Sequence, residues 1–260
     1  EHTFAEGIVV DHADGVTLED VDVVHTGAPA SGANDSAERL NIACRGSASL
    51  TVTRARLTRG SSGIYLVGCD DSVLTYIEGH DFRGPFPRGQ VVQWNSSDDG
   101  LLEHFSVENP VGSWPEDDVN AYQSQRVTIR DGLVDGNNAP SGVGVIFDRD
   151  STGLVEDVDA IHMGNGCFSA IAGGADATFR RTRCTETICE SQEGRGDPRS
   201  GSLVWAGNPA LTGAHVIEDS VYFALCTNNL VWPRDSFASV DIREEAFVPR
   251  DPIRLSFCWE

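Results

Sequence analysis

The chain has 260 residues, with 40 Asp and Glu against 19 basic residues and a formal net charge of −21; every basic residue is arginine. Charge of this sign and size excludes nucleic acid and an anionic membrane as partners. The lack of lysine excludes a lysine base, a Schiff base and a phosphate-cradling Walker loop.

Residues 1–10 hold neither an initiator Met nor a signal-like apolar run, so a mature or trimmed chain is expected, with no membrane span anywhere. The acidic, lysine-free surface suits a halophilic protein, although a GC-rich genome would also favour Arg over Lys. The 7 cysteines leave at least one unpaired within the chain, and none has zinc-ligand spacing. That cysteine usage places the protein in a secreted or extracellular setting.

In chain order, paired apolar anchors five positions apart recur at Leu18/Val23, Val52/Leu57, Ile77/Phe82, Leu102/Val107, Ile129/Val134, Val155/Ala160, Phe179/Cys184 and Ile217/Tyr222. From Val52 onward the steps are 25, 25, 27, 26, 24 and 38 residues, after a first step of 34. Short second strands precede most of them: "LNIAC", "IYLVG", "QVVQW", "VNAYQ", "VGVIF", "FSAIA", "SLVWA" and "NLVW". Polar turns such as Asn-Ser-Ser-Asp-Asp-Gly separate the strands, and no stretch has helical period with caps.

A repeat of about 25 residues with short strands resembles the right-handed parallel β-helix, the pectate-lyase-like superfamily. The resemblance implies an all-β fold: a single solenoid domain over 1–260, with about eight coils across 16–232 and an irregular segment 233–260 packing on the last coil. Cys44 and Cys69, one coil apart, should lie close enough for a disulfide or a buried cysteine ladder. The repeat also sorts side chains into columns. Positions one and two after the first anchor, such as Glu103, Arg130, Glu156 and Arg180, read as a solvated face braced by ion pairs. His104 falls on that face. Position three is mainly apolar, which makes His80 a hydrogen-bonded core histidine.

The turn acids Asp70, Asp71, Asp98, Asp99, Asp148, Asp150 and Asp176 fit local backbone hydrogen bonding. Stacked turn carboxylates could also hold calcium, although no DxDxDG loop is present and metal ligands are not assigned. Loops leaving one edge of the solenoid vary most in length, and such loops on a rigid scaffold are where binding sites are built. They carry Arg83, Arg88, Trp114, Glu116, Asp117, Asp118, Asn137, Asn138, His162, Arg195 and Arg199, with Asn120 and Tyr122 on one face of the adjoining strand. This mix suits a polysaccharide or oligosaccharide: Trp114 stacks on a sugar, Asn and Asp bind hydroxyls, and Arg clamps carboxylates.

The expected activity is that of a polysaccharide lyase acting by β-elimination on a uronic acid polymer. Arg83, Arg88, Arg195 and Arg199 would neutralise the carboxylate and His162 or Tyr122 would be the base. A uronate epimerase would use similar parts. A glycoside hydrolase would pair Asp117 or Asp118 with Glu116 or Asp135. The polygalacturonase-like active-site pattern is absent, because its Arg-x-Lys cannot be made here. A non-catalytic glycan-binding or structural β-helix is the remaining reading, since fold alone does not set function.

Overall fold

Strand follows strand, with no α-helix among residues 1, 3, 5–28, 38–84, 87–110, 113, 115–137, 142–171, 176–187, 202–206, 214–223 and 230–259, which the computed structural model describes. In chain order the strands are β1 (Ile8–Asp11), β2 (Thr17–Val24), β3 (Ile42–Arg45), β4 (Thr51–Thr58), β5 (Ile64–Val67), β6 (Val73–His80) and β7 (Val92–Asn95). They continue as β8 (Leu101–Glu108), β9 (Val119–Tyr122), β10 (Val127–Asn137), β11 (Val145–Asp148), β12 (Gly153–Met163) and β13 (Gly166–Ala170). The last are β14 (Ala177–Arg180), β15 (Arg183–Thr185), β16 (Ser202–Trp205), β17 (His215–Phe223), β18 (Val231–Trp232) and β19 (Phe237–Glu244). No described helix is long and apolar enough to cross a membrane.

Two all-parallel sheets result. A 9-stranded sheet runs β1-β3-β5-β7-β9-β11-β13-β16-β18, and a 10-stranded sheet collects the remaining strands. The chain alternates between them and climbs one rung per circuit, which is a parallel β-helix. One column explains the cross-section. Asp20, Arg54, Tyr76, His104, Asp131, Asp157, Arg181 and Asp219 all have φ between 47° and 57°. A left-handed residue bends the strand sharply there, and the ladder pairs skip it on every rung. Each long strand of the second sheet is therefore two short ones meeting at a corner.

Apolar side chains point inward on both sides of the corner. Leu18, Val52, Leu74, Leu102, Ile129, Val155, Phe179 and Ile217 form one stacked row. Large residues take space left by small ones: a Cβ on Gly132 would lie 2.0 Å from the Phe105 ring, so the glycine beneath Phe105 makes room for it. The third rung corrects the anchor expected at Ile77. Val52 pairs with Leu74, and Leu74 with Leu102, so the steps there are 22 and 28 residues, as the bonded pairs Thr75–Thr53 and Asp98–Asp70 repeat. Ile77 instead stacks with Ala55 and Phe105. That shift takes His80 out of the core: it sits between Thr58 and Glu108, partly exposed, with Nε2 2.9 Å from Glu78.

Polar groups inside the turns stack as well. The Oγ atoms of Ser97, Ser124 and Ser151 accept the N–H groups of Cys69, Ser97 and Ser124 from the rung before, at 2.9–3.0 Å. Ser47 does the same for Ala13. Each of these hydroxyls also donates to a carbonyl of its own turn. The turn acids follow suit: Asp70 Oδ1 accepts from Asp98 N and Asp98 Oδ1 from Gln125 N, both at 2.8 Å. Cys44 and Cys69 form a disulfide with Cα atoms 6.4 Å apart, although Cys44 stacks with Leu66 in the register. Cys167–Cys184 is a second disulfide and Cys258 is free; Cys189 and Cys226 lie outside the described residues. The charged face holds the expected ion pairs, with Arg180 between Glu156 (3.2 Å) and Glu218 (2.7 Å).

The C-terminal segment departs from the expectation. Residues 237–244 add a rung on β17, and the tail then runs back along the rod instead of packing on the last coil. It lies over one outward column: Asp22, Arg56, Glu78, Ser106, Leu133 and Asp159. Arg250 N–H donates to Asp159 (2.7 Å), Ile253 N–H to Ser106 (3.1 Å) and Leu255 N–H to Glu78 (2.7 Å). Beyond them Arg54 donates to the Ser256 carbonyl at 2.9 Å, and the Phe257 ring lies 5.0 Å from the Arg56 guanidinium. The strap explains why Asp159 and Glu78 are only 0% and 3% exposed on an outward-facing column.

The serine ladder gives a stability test. Ser124→Ala strips the buried Ser97 N–H of its acceptor, and an unsatisfied buried donor costs about 1–3 kcal/mol. Urea unfolding should show a lower midpoint at unchanged slope; an unchanged midpoint would mean the ladder carries no weight.

Candidate active site over the first sheet

The outward face of the first sheet is built by alternation. In β5, β7, β9 and β11 the inward residues are apolar, and the residues between them stack as Tyr65–Gln93–Asn120–Ile146 and Val67–Asn95–Tyr122–Asp148. Two loops rise beside these rows. The one before β7 carries Arg88, the one before β9 carries Glu116, Asp117 and Asp118, and they are tied by Glu116 N–H donating to the Arg88 carbonyl at 2.9 Å. The chain at 142–144 packs against the second loop with no space to spare: a Cβ on Gly142 would lie 1.2 Å from the Glu116 carbonyl oxygen. Only glycine permits that approach.

Rows and loops together enclose a cleft of about 550 Å³ lined by Tyr65, Arg88, Gln93, Asn95, Glu116, Asn120, Tyr122, Asp148, Arg149 and Ile171, among others. Arg88 lies over the Tyr65 ring at 4.3 Å and Arg149 over the Tyr122 ring at 5.7 Å. Arg88 also pairs with Glu38 and reaches Gln93 Oε1 at 3.5 Å, while Asn95 donates to the Tyr65 hydroxyl at 2.9 Å. Asp117, 3% exposed, stands behind this wall. It accepts from Asn120 Nδ2 at 2.8 Å and Val143 N at 3.1 Å. Asn120, also 3% exposed, has no hydrogen-bond partner at Oδ1.

The carboxyl groups here are hard to ionise. Burial, then the charges of Asp117 and Asp148, pushes Glu116 up to about 8 against the pull of Arg88. Burial likewise raises Asp117 to about 7, opposed by its two hydrogen-bond donors and reinforced by Asp148. Asp148 is raised by burial, and Asp118 is held well above its usual range by burial, with Asp117 and Asp135 adding to it. Neutral or shared-proton carboxyls beside fixed guanidinium groups are what acid–base chemistry near neutral pH requires.

Arg88, Glu116, Asn120 and Tyr122 meet in this cleft. Asp117 supports it from behind. Asp118 is fully buried and accepts from Asn109 Nδ2 at 2.8 Å. Asn137, also buried, staples the loop by donating to the Glu116 carbonyl at 2.8 Å. Arg83 is 3% exposed and bonds Asp81 at 2.6 Å, away from the cleft lining. His162 does not join the cleft either: its Nδ1 is 2.5 Å from Asp135 and its Nε2 3.1 Å from Glu186. It lines a separate cleft of about 570 Å³ with Glu78, His80, Asp81, Glu108, Asp135 and the strap residue Arg254. Arg254 bonds Glu108 there at 2.5 Å. The single groove expected to hold His162 and Glu116 together is therefore two clefts. Trp114, Asn138, Arg195 and Arg199 lie outside the described residues.

Sequence reasoning missed Tyr65, Gln93, Asn95, Asp148 and Arg149. The first four are signalled by the alternation in "IYLVG", "QVVQWN" and "VGVIFD", once the outward face is taken as a surface in its own right. Among the described residues one His–carboxylate group, Glu103, His104 and Asp131, brings its ligand atoms within 4.8 Å of one another. Arg130 already pairs with Glu103 at 2.8 Å.

No family model matches the sequence, and no curated protein does. Among solved structures, an alginate lyase from Paenibacillus sp. str. FPU-7 is similar at 11% identity and TM-score 0.41, covering 95% of this chain and 99% of that one. The Agl-KA catalytic domain is similar at 9% identity and TM-score 0.32, covering 90% of this chain and 47% of that one.

The buried carboxyls predict a pH-dependent stability. Asp118 has a folded pKa far above its unfolded value near 3.8, so the folded state keeps a proton the unfolded chain has lost. Its contribution is present below that unfolded value and is lost as pH rises toward the folded one. Asp118→Asn, which carries no such proton, should stabilise the protein more at pH 8 than at pH 4, by a few degrees in Tm. Equal shifts at both pH values would show that Asp118 is ionised in the fold.

Proposed function

We propose that the protein is a polysaccharide lyase that cleaves a uronic acid polymer by β-elimination in the cleft over the first sheet. The observation that carries this reading is one cleft holding a tyrosine, two guanidinium groups and a carboxyl that stays protonated near neutral pH. β-Elimination needs these three parts. The substrate carboxylate must be neutralised, which Arg88, Arg149 and the O–H of neutral Glu116 can do by charge and hydrogen bonding. A base must take the C5 proton, and the phenolate of Tyr122 is the candidate, becoming the phenol as it does so. The C5–H electron pair then forms the C4=C5 double bond, and the C4–O4 bond breaks. The departing O4 takes that proton from the phenol so formed, which restores the phenolate and leaves the site unchanged over the cycle. Gln93, Asn95 and Asn120 supply neutral hydrogen-bonding groups for hydroxyls. The two disulfides suit an oxidising, extracellular setting.

A glycoside hydrolase is the second reading, favoured by the charge of Asp148 acting on Glu116 across the cleft. Protonated Glu116 would be the acid and Asp148 the base or nucleophile.

Product chemistry separates the two. Incubation with uronate polymers in high salt should generate the ultraviolet absorbance of an unsaturated product, and Tyr122→Phe should lower kcat by about 10²–10⁴. Activity should fall as pH rises past about 8, where Glu116 ionises and loses its donor, and Glu116→Gln should remove that alkaline limb. Reducing sugar released with no absorbance would replace the lyase by the hydrolase. Silence on both assays would leave a binding module.

A further inference from the structure

The second sheet carries a histidine whose acidic neighbours stand apart from it. His12, His80 and His162 each hold a carboxylate oxygen at hydrogen-bond distance, 2.6, 2.9 and 2.5 Å away. His104 lies 3.8 Å from Glu103 through Nε2 and 3.9 Å from Asp131 through Nδ1, both too far for a hydrogen bond. One ligand atom from each of the three residues lies within 4.8 Å of the other two. Such spacing suits groups that share an ion: zinc bonds of about 2.0–2.1 Å to nitrogen and about 2.0–2.2 Å to oxygen set the two donors up to about 4.3 Å apart.

We propose that Glu103, His104 and Asp131 form a metal site of the zinc class that staples the rungs of β8 and β10. The ladder fixes where the ligands stand. His104 and Asp131 are consecutive members of the corner column, with φ of 53° and 52°, so their side chains leave neighbouring rungs, about 4.8 Å apart, at the same bend. Glu103 precedes His104 in β8 and pairs in register with Arg130 of β10. The Tyr76 ring, from the rung before, lies 4.9 Å from the imidazole and limits how far it can turn. The His104 and Asp131 side chains are each 40% exposed and Glu103 is 21% exposed. The carboxylates can therefore close the last few tenths of an ångström, and water can fill the remaining coordination positions.

The donor set selects the metal. Imidazole with two carboxylates suits zinc, copper or nickel, whereas calcium and magnesium take all-oxygen shells. Two cations already lean on the acids: Arg130 reaches Glu103 Oε1 at 2.8 Å, and Arg250 of the strap stands 3.9 Å from Asp131 Oδ1. They bring the local charge near zero, which disfavours an ion held by charge alone and leaves one that bonds to imidazole. Each carboxylate keeps a second oxygen for single-point ligation. The site is on the second sheet and shares no residue with the cleft over the first, so it stands apart from the lyase reading.

The test follows the imidazole. In protein labelled with 15N-histidine and stripped of metal by a chelator, the His104 ring resonances are assigned by their loss in His104→Asn, since asparagine tolerates the left-handed corner. Zinc chloride should shift them saturably, and calcium chloride at the same ionic strength should not. Asp131→Asn and Glu103→Gln should each weaken the zinc titration by about tenfold or more. Zinc should also raise the Tm of the wild type by more than that of His104→Asn, because an ion bound only to the fold stabilises it by mass action. Resonances that zinc leaves unmoved overturn the proposal. So does an equal response to calcium, a zinc affinity unchanged in either carboxylate variant, or an equal rise in Tm. Should a variant fail to fold, X-ray absorption at the zinc edge, on wild type carrying one equivalent, still decides. A shell of one imidazole among oxygen donors supports the site, and a shell with no imidazole, or with several, overturns it.

Discussion

Each rung of the rod meets its peptide hydrogen bonds by pairing, in parallel register, with the rungs on either side, and the whole molecule follows from that repeated exchange. Parallel strands rise about 4.8 Å per rung, so any residue type placed at one column height must fit directly against the residues above and below it. The left-handed corner residues show how strict the constraint is. Aspartate, arginine, tyrosine and histidine all adopt φ near 50° there, a conformation that L residues seldom take. No glycine column relieves it. The ladder hydrogen bonds and the apolar rows on either side hold every rung at the same corner, and the bend in turn sends the chain to the next sheet.

Stacking also explains how so acidic a chain buries polar groups. A serine hydroxyl or aspartate carboxylate inside a turn has a donor waiting one rung away, because the same turn recurs there. The ladder thus converts potentially unsatisfied backbone groups into a continuous hydrogen-bonded column. Where the repeat is interrupted by loops, that automatic pairing stops. Glu116, Asp117 and Asp118 sit at such an interruption, with Asn109, Asn120 and Val143 supplying single donors in place of a stacked column. The result is a set of carboxyls that burial pushes toward the neutral form at a place where the regular polar ladder gives out.

The sequence made the solenoid legible because stacked anchors repeat, and an apolar residue every coil leaves a period that survives loops of different length. It misled at the third rung. "VLTYIEGHDF" offers two apolar anchors three apart, Leu74 and Ile77, and an even 25-residue step favours Ile77 over the true steps of 22 and 28. That one choice turned His80 inward and put Glu78 in the solvated face instead of beneath the strap. The strap itself had no period to reveal it, since its contacts reach 147 and 177 residues back along the chain. At the candidate site, Glu116, Asn120, Tyr122 and Arg88 were readable because loops and adjoining strands were searched together. Asp148 looks like a turn acid in the sequence, and Tyr65, Gln93 and Asn95 carry no signal on any single rung, because the outward face is formed only by stacking several rungs.

Two clefts with similar residue types end up with different electrostatic situations, and the cause is what closes them. The cleft of His80 and His162 is crossed by the strap, which brings its own cation: Arg254 bonds Glu108, and the Leu255 N–H satisfies Glu78. Acid there has been answered by a segment of the same chain. Over the first sheet the guanidinium groups of Arg88 and Arg149 lie over the rings of Tyr65 and Tyr122. Burial there acts on Glu116, Asp117 and Asp148 with only part of the compensating charge present. A cleft in which burial pushes the carboxyls toward the neutral form has bonding capacity in hand, and the strapped cleft has already used much of its own.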